Sequence, residues 1–267
     1  MSNVIIVTGC SKGLGKAIVE KLLSLSSSRH NDVLVIGLAR SKEKLICLQE
    51  KFGSARFQYI CGDITSVETI TKLLKFLQEN KIHHIQGLIC NAGVLQPVGN
   101  VNTINVAEWK NLFDVNFFSI VDLVSKLLPF LKQAPGPINT AGNIIFVSSG
   151  ASVKNYDGWG AYGSSKAALN HFCGTLAREE PLIRAVSVAP GVVDTDMQVE
   201  IRKNENKGMS QEALQRFIDL KKKGQLLSPE VPGVIYANLA LKGIENEING
   251  KYIRYNDPLL QEYSVNV

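Results

Sequence analysis

A tyrosine and a lysine stand four residues apart in the segment "WGAYGSSKAALNHF", at Tyr162 and Lys166. The segment is predicted to begin a helix, and residues four apart lie on one helix face. A phenol with an ordinary pKa of about 10 is a poor acid or base near neutrality unless a cation stabilises its phenolate. Lys166 can supply that charge. The pair could give a proton to a carbonyl oxygen or take one from an alcohol, although this spacing also arises on ordinary helix surfaces.

Two further polar residues stand where a reacting oxygen would need them. Ser149 ends the buried strand pattern "FVSSG", thirteen residues before Tyr162, so its hydroxyl could bind a substrate oxygen. Asn116 lies in "FDVNFF", inside a long apolar helix pattern. A buried amide has to be hydrogen-bonded. Asn116 is therefore expected to bond to backbone and lock a kink, to relay protons through water, or to do both.

The first predicted strand runs into "VTGCSKGLG", which allows two interpretations. Gly9, Gly13 and Gly15 suit a turn that accepts positive φ and brings backbone close to a cofactor phosphate at a helix N-terminus. The same letters contain the G-x-S-x-G pattern of a hydrolase, with Ser11 as nucleophile. A hydrolase needs strands upstream and a histidine on a downstream loop. Only eight residues precede Gly9, and His171 falls in a predicted helix, so the cofactor turn is favoured.

The second predicted strand ends in "GLARSKEK", and this ending bears on the choice of nucleotide. In dinucleotide folds an acidic residue here binds the ribose hydroxyls of NAD, whereas an arginine accommodates a 2′-phosphate. Arg40 stands at that position, and its guanidinium suits a phosphate. Lys12, inside the glycine turn, adds a second cation. The two residues predict NADPH as cofactor; the alternative is that both are solvated surface cations.

Short Val- and Ile-rich runs without period-two alternation predict strands buried on both faces, as in a parallel sheet covered by helices. Six such runs begin near residues 3, 33, 56, 85, 142 and 183, and a last short strand, "GKYIRY", is expected from residue 250. Helical patterns alternate with them over residues 13–27, 42–52, 66–80, 107–132, 161–180 and 229–241. The alternation predicts an α/β fold, a single doubly wound Rossmann domain over residues 1–267 with a seven-stranded parallel sheet flanked by helices on both faces.

One segment departs from this alternation, from about residue 196 to 228. It is charged, interrupted by glycine and poor in strand formers, so we expect helices on the surface. Segments of this kind are often mobile and functional. We therefore expect residues 196–228 to act as a lid that closes over the substrate and excludes water.

Composition argues against several other classes of protein. The chain has 267 residues, 45% hydrophobic and 20% charged, and its net charge of +5 comes from scattered basic residues, so no nucleic-acid groove is expected. No run approaches the ~20 apolar residues of a membrane span, and the N-terminus enters a strand directly, which predicts a cytoplasmic protein. The five cysteines are far apart without a C-x-x-C pair, and the histidines are poorly spaced as ligands, so neither disulfides nor a metal site are expected.

Taken in order along the chain, these motifs resemble the short-chain dehydrogenase/reductase family over almost the whole length. The resemblance implies a catalytic tetrad of Asn116, Ser149, Tyr162 and Lys166. It implies that Tyr162 donates the proton, that Lys166 lowers the tyrosine pKa and binds the nicotinamide ribose, and that Asn116 anchors a water relay. The cofactor residues that it implies, with Lys12 and Arg40 added from the argument above, are Gly9, Ser11, Lys12, Gly13, Leu14, Gly15, Arg40, Asp63, Ile64, Asn91, Ala92, Gly93, Tyr162, Lys166, Pro190, Gly191, Val193 and Thr195. Cys90 replaces the first Asn of the usual Asn-Asn-Ala-Gly, which leaves Asn91 in place.

The segments "WGAYGSSKAALNHF", "APGVVDTDMQ" and "YNDP" are more closely similar to fungal members of the benzil reductase and sepiapterin reductase branch. That similarity implies an NADPH-dependent reductase of carbonyls, including vicinal diketones. Few charged residues are expected near the pocket to pair with a charged substrate, so we expect a neutral, partly aromatic substrate. The expected substrate-pocket residues are Val94, Leu95, Tyr156, Trp159, Met197 and Asp257. Asp257 resembles the acidic residue with which sepiapterin reductases hold the pterin, but it could equally cap the C-terminal turn, and the two aromatic residues could simply pack a loop.

Two rival functions remain open at this stage. The same residues could oxidise an alcohol, because the direction depends on cofactor supply. The chain could also be an NADP-binding sensor that lost its chemistry, since fold alone does not establish function. The family resemblance further implies a homodimer or homotetramer formed through the helices that begin near Ala107 and Tyr162, although burial within the monomer explains their apolar content equally well.

Overall fold

A computed structural model describes residues 3–28, 33–133, 142–203 and 208–265. Seven strands run through these ranges, β1 Asn3–Thr8, β2 Val33–Ala39, β3 Phe57–Cys61, β4 Gly87–Cys90, β5 Asn143–Val147, β6 Arg184–Ala189 and β7 Tyr252–Arg254. They form one sheet in the order β3-β2-β1-β4-β5-β6-β7, and every neighbouring pair is parallel. The predicted seven-stranded parallel sheet is confirmed.

The described ranges contain nine α-helices. These are α1 Gly13–Ser28, α2 Lys42–Phe52, α3 Val67–Glu79, α4 Val106–Phe113, α5 Ser119–Leu131, α6 Gly160–Glu179, α7 Asp196–Lys203, α8 Gln211–Lys222 and α9 Glu230–Lys242. Parallel strands require crossover connections, and most of these helices lie between successive strands. The helices predicted around residues 13, 42, 66, 161 and 229 are confirmed to within one or two residues at each end.

The sheet is buried on both faces, as the unalternating apolar runs predicted. On β1, Ile5 and Val7 belong to the core that includes α1 and α9, whereas Val4 and Ile6 belong to a second core that includes α3, α5 and α6. Successive strand residues point to opposite faces, so a strand covered on both sides has to be apolar at every position. This double burial explains the runs.

The strand order reverses direction between β1 and β4, and this defines where a ligand can bind. The chain builds outward from β1 to β3 on one side, then returns and builds from β4 to β7 on the other. In open α/β sheets the ligand crevice lies beyond the carboxyl ends of the strands at this switch point. Gly9 follows the end of β1 and Asn91 follows the end of β4, so both stand at that crevice.

The helix predicted over residues 107–132 is interrupted. A π-helical turn over Asp114–Phe118 separates α4 from α5. Its central residue, Asn116, forms hydrogen bonds with the backbone of Val94, in the loop after β4. Such single π-turns insert a residue into an α-helix and often occur at functional sites. The expected hydrogen bonding of Asn116 to backbone is therefore confirmed, and the irregularity it accompanies is a π-turn.

Helices α7 and α8 occupy much of the charged segment 196–228, as predicted, while residues 204–207 lie outside the described ranges. Within the described ranges, no helix is long and apolar enough to cross a membrane. All five cysteines are free. No group of three or more His, Cys, Asp or Glu side chains in the same ranges is arranged to hold a metal ion.

Candidate active site

A single cavity of about 700 Å³ lies at the carboxyl end of the sheet. It gathers all of the residues predicted for the cofactor, three of the four predicted for catalysis, and five of the six predicted for the substrate. The predicted residues that line it are Gly9, Ser11, Lys12, Gly13, Leu14, Gly15, Arg40, Asp63, Ile64, Asn91, Ala92, Gly93, Val94, Leu95, Ser149, Tyr156, Trp159, Tyr162, Lys166, Pro190, Gly191, Val193, Thr195 and Met197. The two that do not are Asn116 and Asp257.

The glycine turn, residues 9–15, has the backbone that only glycine adopts easily. Gly9 has φ +66° and Gly13 has φ +53°, both in the left-handed region. A Cβ at Gly15 would collide with the carbonyl oxygen of Gly9 and the side-chain amide of Asn91. The turn therefore packs tightly at its base while its outer surface, which leads into the N-terminus of α1, stays open to the cavity.

Hydrogen bonds join the end of β1 to the end of β4 and fix this turn. The Thr8 hydroxyl accepts hydrogen bonds from the backbone N–H groups of Asn91 and Ala92, each at 3.0 Å. The Asn91 amide donates in return to the carbonyls of Thr8 and Gly9, each at 3.0 Å. Threonine and asparagine are needed here because each bridges two strands that are not joined locally in sequence.

Basic residues crowd the end of the cavity beyond β2. Arg40 lies 3.9 Å from the carboxylate of Asp63, whose pKa is lowered by a hydrogen bond from the Thr65 backbone and, to a smaller extent, by the Arg40 charge. Lys12 forms an ion pair of 2.7 Å with Asp196. Lys44 also lines this end. Lys44 is not among the predicted cofactor residues, although the basic run "RSKEK" that follows β2 indicates a cation here.

Tyr162 lies in the first turn of α6 and is 7% exposed. Burial raises the pKa of its phenol, and a side-chain hydrogen bond with Ser149 acts in the opposite direction. Ser149 stands just after β5 in extended backbone, and its hydroxyl also accepts a hydrogen bond from the N–H of Ala151. The two hydroxyls thus face one another inside the cavity, where a carbonyl oxygen could contact both.

Lys166 is one turn further along α6 and is 3% exposed. Its ammonium donates a hydrogen bond of 2.8 Å to the carbonyl of Val147 and lies 6.0 Å from the centre of the Tyr162 ring. Burial lowers the pKa of Lys166 to about 8. The resemblance implied a lowered Tyr162 pKa; in this structure that pKa is raised instead, because burial of the phenol has the largest effect.

Asn116 lies behind the cavity and is fully buried. Its side-chain oxygen accepts from the N–H of Val94 at 2.8 Å, and its side-chain nitrogen donates to the carbonyl of Val94 at 2.9 Å and to the Ser165 hydroxyl at 3.2 Å. The amide therefore clamps the loop after β4 to the π-turn and to α6. A water relay at Asn116 remains a prediction.

An aromatic wall borders the catalytic hydroxyls. Trp159 stacks on Phe217 with ring centres 5.6 Å apart, and it lies edge-on to Tyr162 at 5.9 Å. Tyr156 lies 5.0 Å from Trp159. Phe217, on α8, also lines the cavity and is not among the residues predicted for the substrate pocket. The spacing of Leu214 and Phe217 on one helix face predicts burial of that face.

Two expectations about the pocket need correction. Few fixed charges were expected, yet the exposed side chains Lys154, Glu200 and Arg216 line the cavity as well, because the sequence alone does not show which faces of α7 and α8 turn inward. Asp257 does not line the cavity; its carboxylate accepts a hydrogen bond from the N–H of Leu259 and caps the turn that follows. Its short side chain is committed to local backbone, so the capping alternative is the correct one.

A crevice at the switch point of a parallel sheet, with buried tyrosine and lysine side chains beside an open glycine turn, is the architecture of a dinucleotide-dependent oxidoreductase. Comparison with known proteins narrows this class. The family model described as short chain dehydrogenase matches residues 3–206, and the chain belongs to the short-chain dehydrogenase/reductase family, whose members use NADH or NADPH.

Several relatives match over nearly the full length. The uncharacterized oxidoreductase YIR035C of Saccharomyces cerevisiae is 50% identical over 264 residues, covering 98% of this chain and 99% of that protein. Its crystal structure matches with a TM-score of 0.92, covering 99% of this chain and 100% of that one. The benzil reductase ((S)-benzoin forming) IRC24 of the same yeast is 45% identical over 267 residues, covering 97% and 98%. A sepiapterin reductase of Meriones unguiculatus is 34% identical over 233 residues, covering 84% and 86%. The predicted resemblance to this branch is confirmed.

Proposed function

We propose that this chain is an NADPH-dependent carbonyl reductase that converts a neutral ketone or vicinal diketone, of the benzil type, into the hydroxy compound. The observation that carries the proposal is the single cavity that joins the glycine turn and its basic end to Tyr162 and Ser149, with an aromatic wall beside them. The catalytic roles below, and the choice of NADPH over NADH, belong to the proposal.

The cavity fits a dinucleotide. The glycine turn would hold the pyrophosphate, because Gly9, Gly13 and Gly15 carry no Cβ and the turn leads into a helix N-terminus. Lys12 and Arg40 would hold a 2′-phosphate at the basic end, and Asp63 the adenine. At the other end Lys166 would hold the nicotinamide ribose, with Pro190, Gly191, Val193 and Thr195 beside the ring. The bound reduced nicotinamide supplies the hydride.

The residues of the chain supply the proton and the alignment. Ser149 binds the carbonyl oxygen and holds it beside the Tyr162 hydroxyl. As the carbonyl carbon gains a hydride and its C=O π bond breaks, Tyr162 transfers its proton to the developing alkoxide. The phenolate left behind is stabilised by the Lys166 ammonium and is reprotonated from solvent before the next turnover. Asn116 positions the loop that carries Val94, which lines the substrate region.

The substrate class follows from the aromatic wall. Trp159, Tyr156 and Phe217 offer flat apolar surface next to the catalytic hydroxyls, which suits aryl groups on either side of a carbonyl. The 45% identity to a benzil reductase supports the same class. A pterin substrate is less well supported, because Asp257 is engaged in capping.

The proposal predicts rapid oxidation of NADPH in the presence of aromatic diketones. Benzil, aromatic ketones, sugars, steroids and pterins are compared with NADPH and with NADH by loss of absorbance of the reduced cofactor. Arg40→Gln is expected to lower kcat/KM for NADPH about tenfold, because the loss of one charged hydrogen bond costs about 1.5 kcal/mol. The kcat/KM for NADH should stay unchanged.

Arg178→Gln is the matched control, since Arg178 is an exposed arginine of α6 that does not line the cavity. Equal rates with both cofactors in the wild type would refute the NADPH preference. NADPH binding without reduction of any compound would favour a sensor, and faster oxidation of the matching alcohols than reduction of the ketones would favour a dehydrogenase.

The reduction rate is expected to fall as pH rises through about 8. Reduction consumes a proton and needs Lys166 charged, and the pKa of Lys166 is lowered to about 8 by burial. Tyr162 stays protonated over this range because its pKa is raised, as does Cys90, the buried thiol that interacts with Lys166. The pH dependence of kcat/KM measures this limb.

Lys166→Arg serves as the comparison, because a guanidinium stays charged at every pH used. The residual kcat/KM of this variant should not fall as pH rises through 8. A wild-type profile that stays flat to pH 9 would show that the charge of Lys166 does not control the rate.

We also propose that the protein works in the cytoplasm as a homodimer or homotetramer. Five free cysteines, three of them buried, are typical of a reducing compartment. Val106 of α4 is 61% exposed and Phe118 of the π-turn is 55% exposed, which leaves apolar surface on the helices where the family resemblance implies contacts between subunits.

A further inference from the structure

An ion pair crosses the cavity between its two walls. The ammonium of Lys12, in the glycine turn, lies 2.7 Å from a carboxylate oxygen of Asp196, the first residue of α7. The two residues are 184 positions apart in the chain, and both line the cavity. Lys12 is one of the two cations proposed to hold the 2′-phosphate of NADPH, so the structure shows a carboxylate on the cation that the phosphate would use.

The charges around Asp196 keep it ionised. The hydrogen bond and the charge of Lys12 lower the pKa of Asp196, and the charge of Lys44 adds to the effect. The other proposed phosphate-binding cation, Arg40, has its own carboxylate neighbour in Asp63 at 3.9 Å. In the cofactor-free protein, each of the two cations therefore has a carboxylate within 4 Å.

A phosphate at Lys12 would compete with this pair. A lysine ammonium is a compact point charge, and a phosphate monoester carries between one and two negative charges at neutral pH. A carboxylate and a phosphate on the same ammonium would repel one another. The 2′-phosphate therefore competes with Asp196 for Lys12, whereas a cofactor with a bare 2′-hydroxyl leaves the pair intact.

We propose that Asp196 is an internal competitor for the 2′-phosphate at Lys12, and thus a specificity-determining residue that reduces the margin by which NADPH is preferred over NADH. The inference rests on the proposed NADPH preference and adds a residue that opposes it. The Lys12 and Asp196 side chains are 58% and 69% exposed, so solvent screens their attraction and the effect is modest. Removing the carboxylate is expected to tighten binding of a 2′-phosphate about two- to fivefold.

The competition links the two ends of the cavity. Helix α7 begins at Asp196 and also carries Met197 and Ile201, which line the cavity. Displacement of Asp196 removes this ion pair between α7 and the glycine turn. The cofactor's phosphate would then act on the helix that borders the substrate, with a coupling no larger than the strength of the ion pair.

The test measures binding of two adenosine nucleotides by isothermal titration calorimetry. Adenosine 2′,5′-bisphosphate carries the 2′-phosphate and adenosine 5′-monophosphate lacks it. Asp196→Asn keeps the shape of the side chain and suits a helix start. It is expected to tighten binding of the bisphosphate two- to fivefold and to leave the monophosphate unchanged. In a Lys12→Gln background the same substitution is expected to have no effect, since the competition is for Lys12.

Asp194→Asn is the matched control. Asp194 lies two residues earlier and forms an ion pair of the same length, 2.7 Å, with Lys221, but it does not line the cavity. This variant should bind both nucleotides as the wild type does. If Asp196→Asn binds the bisphosphate no better than the wild type, or tightens both nucleotides equally, the inference is overturned while the NADPH proposal stands. A wild type that binds both nucleotides equally well would instead refute the NADPH proposal, and the inference with it.

Discussion

Tyr162→Phe is expected to lower kcat for ketone reduction about 10²- to 10⁴-fold, the usual range for loss of a general acid. The phenol is the group proposed to deliver a proton to an oxygen held by Ser149, and the variant removes only its hydroxyl. Binding of NADPH, followed by the fluorescence of the reduced cofactor, should stay within about twofold of the wild type. Measurement of kcat and of cofactor affinity in the same preparation separates chemistry from binding.

The control for this variant is Tyr236→Phe. Tyr236 is likewise a buried tyrosine, but its hydroxyl donates a hydrogen bond to the carbonyl of Val188 inside the core and does not line the cavity. Its loss should cost about 1 kcal/mol of stability and little activity. If Tyr162→Phe keeps more than a tenth of the wild-type kcat, the proton comes from another donor.

Gly15→Ala is expected to abolish cofactor binding and to lower the free energy of unfolding by about 1–3 kcal/mol. The added Cβ would collide with the carbonyl oxygen of Gly9 and with the Asn91 amide, two groups that are bonded to one another. Neither can move without straining the hydrogen bond that joins them at the ends of β1 and β4. Denaturant unfolding and a fluorescence titration with NADPH measure the two effects.

Gly174→Ala provides the comparison within a helix. A Cβ at Gly174 of α6 would meet only the carbonyl of Gly250 at 3.5 Å, an ordinary contact. Alanine is the better helix former by up to about 1 kcal/mol, so this variant should be as stable as the wild type or more stable, with unchanged binding. Equal behaviour of the two alanine variants would contradict the tight packing inferred for the glycine turn.

The sheet was predictable because strands buried on both faces leave an unmistakable apolar pattern, and because parallel strands separated by helices admit few topologies. Part of the site was predictable because polar residues interrupt patterns that are otherwise apolar. Asn116 in an apolar helix is the clearest example. Its partner, Val94, could not be foreseen, because any backbone group of a nearby loop could have satisfied the amide.

The remaining differences come from tertiary packing. The sequence indicates that Leu214 and Phe217 share a face, but it does not indicate that the face covers Trp159. Likewise, the spacing of Tyr162 and Lys166 places a cation near a phenol, whereas their pKa values depend on how deeply both are buried. Asp257 shows the limit of transferring a residue by resemblance, because an aspartate before a proline-led turn is also an ordinary cap.

The hydrogen bonds between Thr8 and Asn91 bear on how the protein acquires its binding site during synthesis. They join residues 83 positions apart, so the glycine turn leaves the ribosome long before the residue that fixes its shape. Contacts of such separation form late, because the intervening chain must first be ordered. A nascent chain that has completed β1 and α1 therefore contains the residues of the glycine turn but does not yet form a nucleotide site. We expect the cofactor to bind only late in folding.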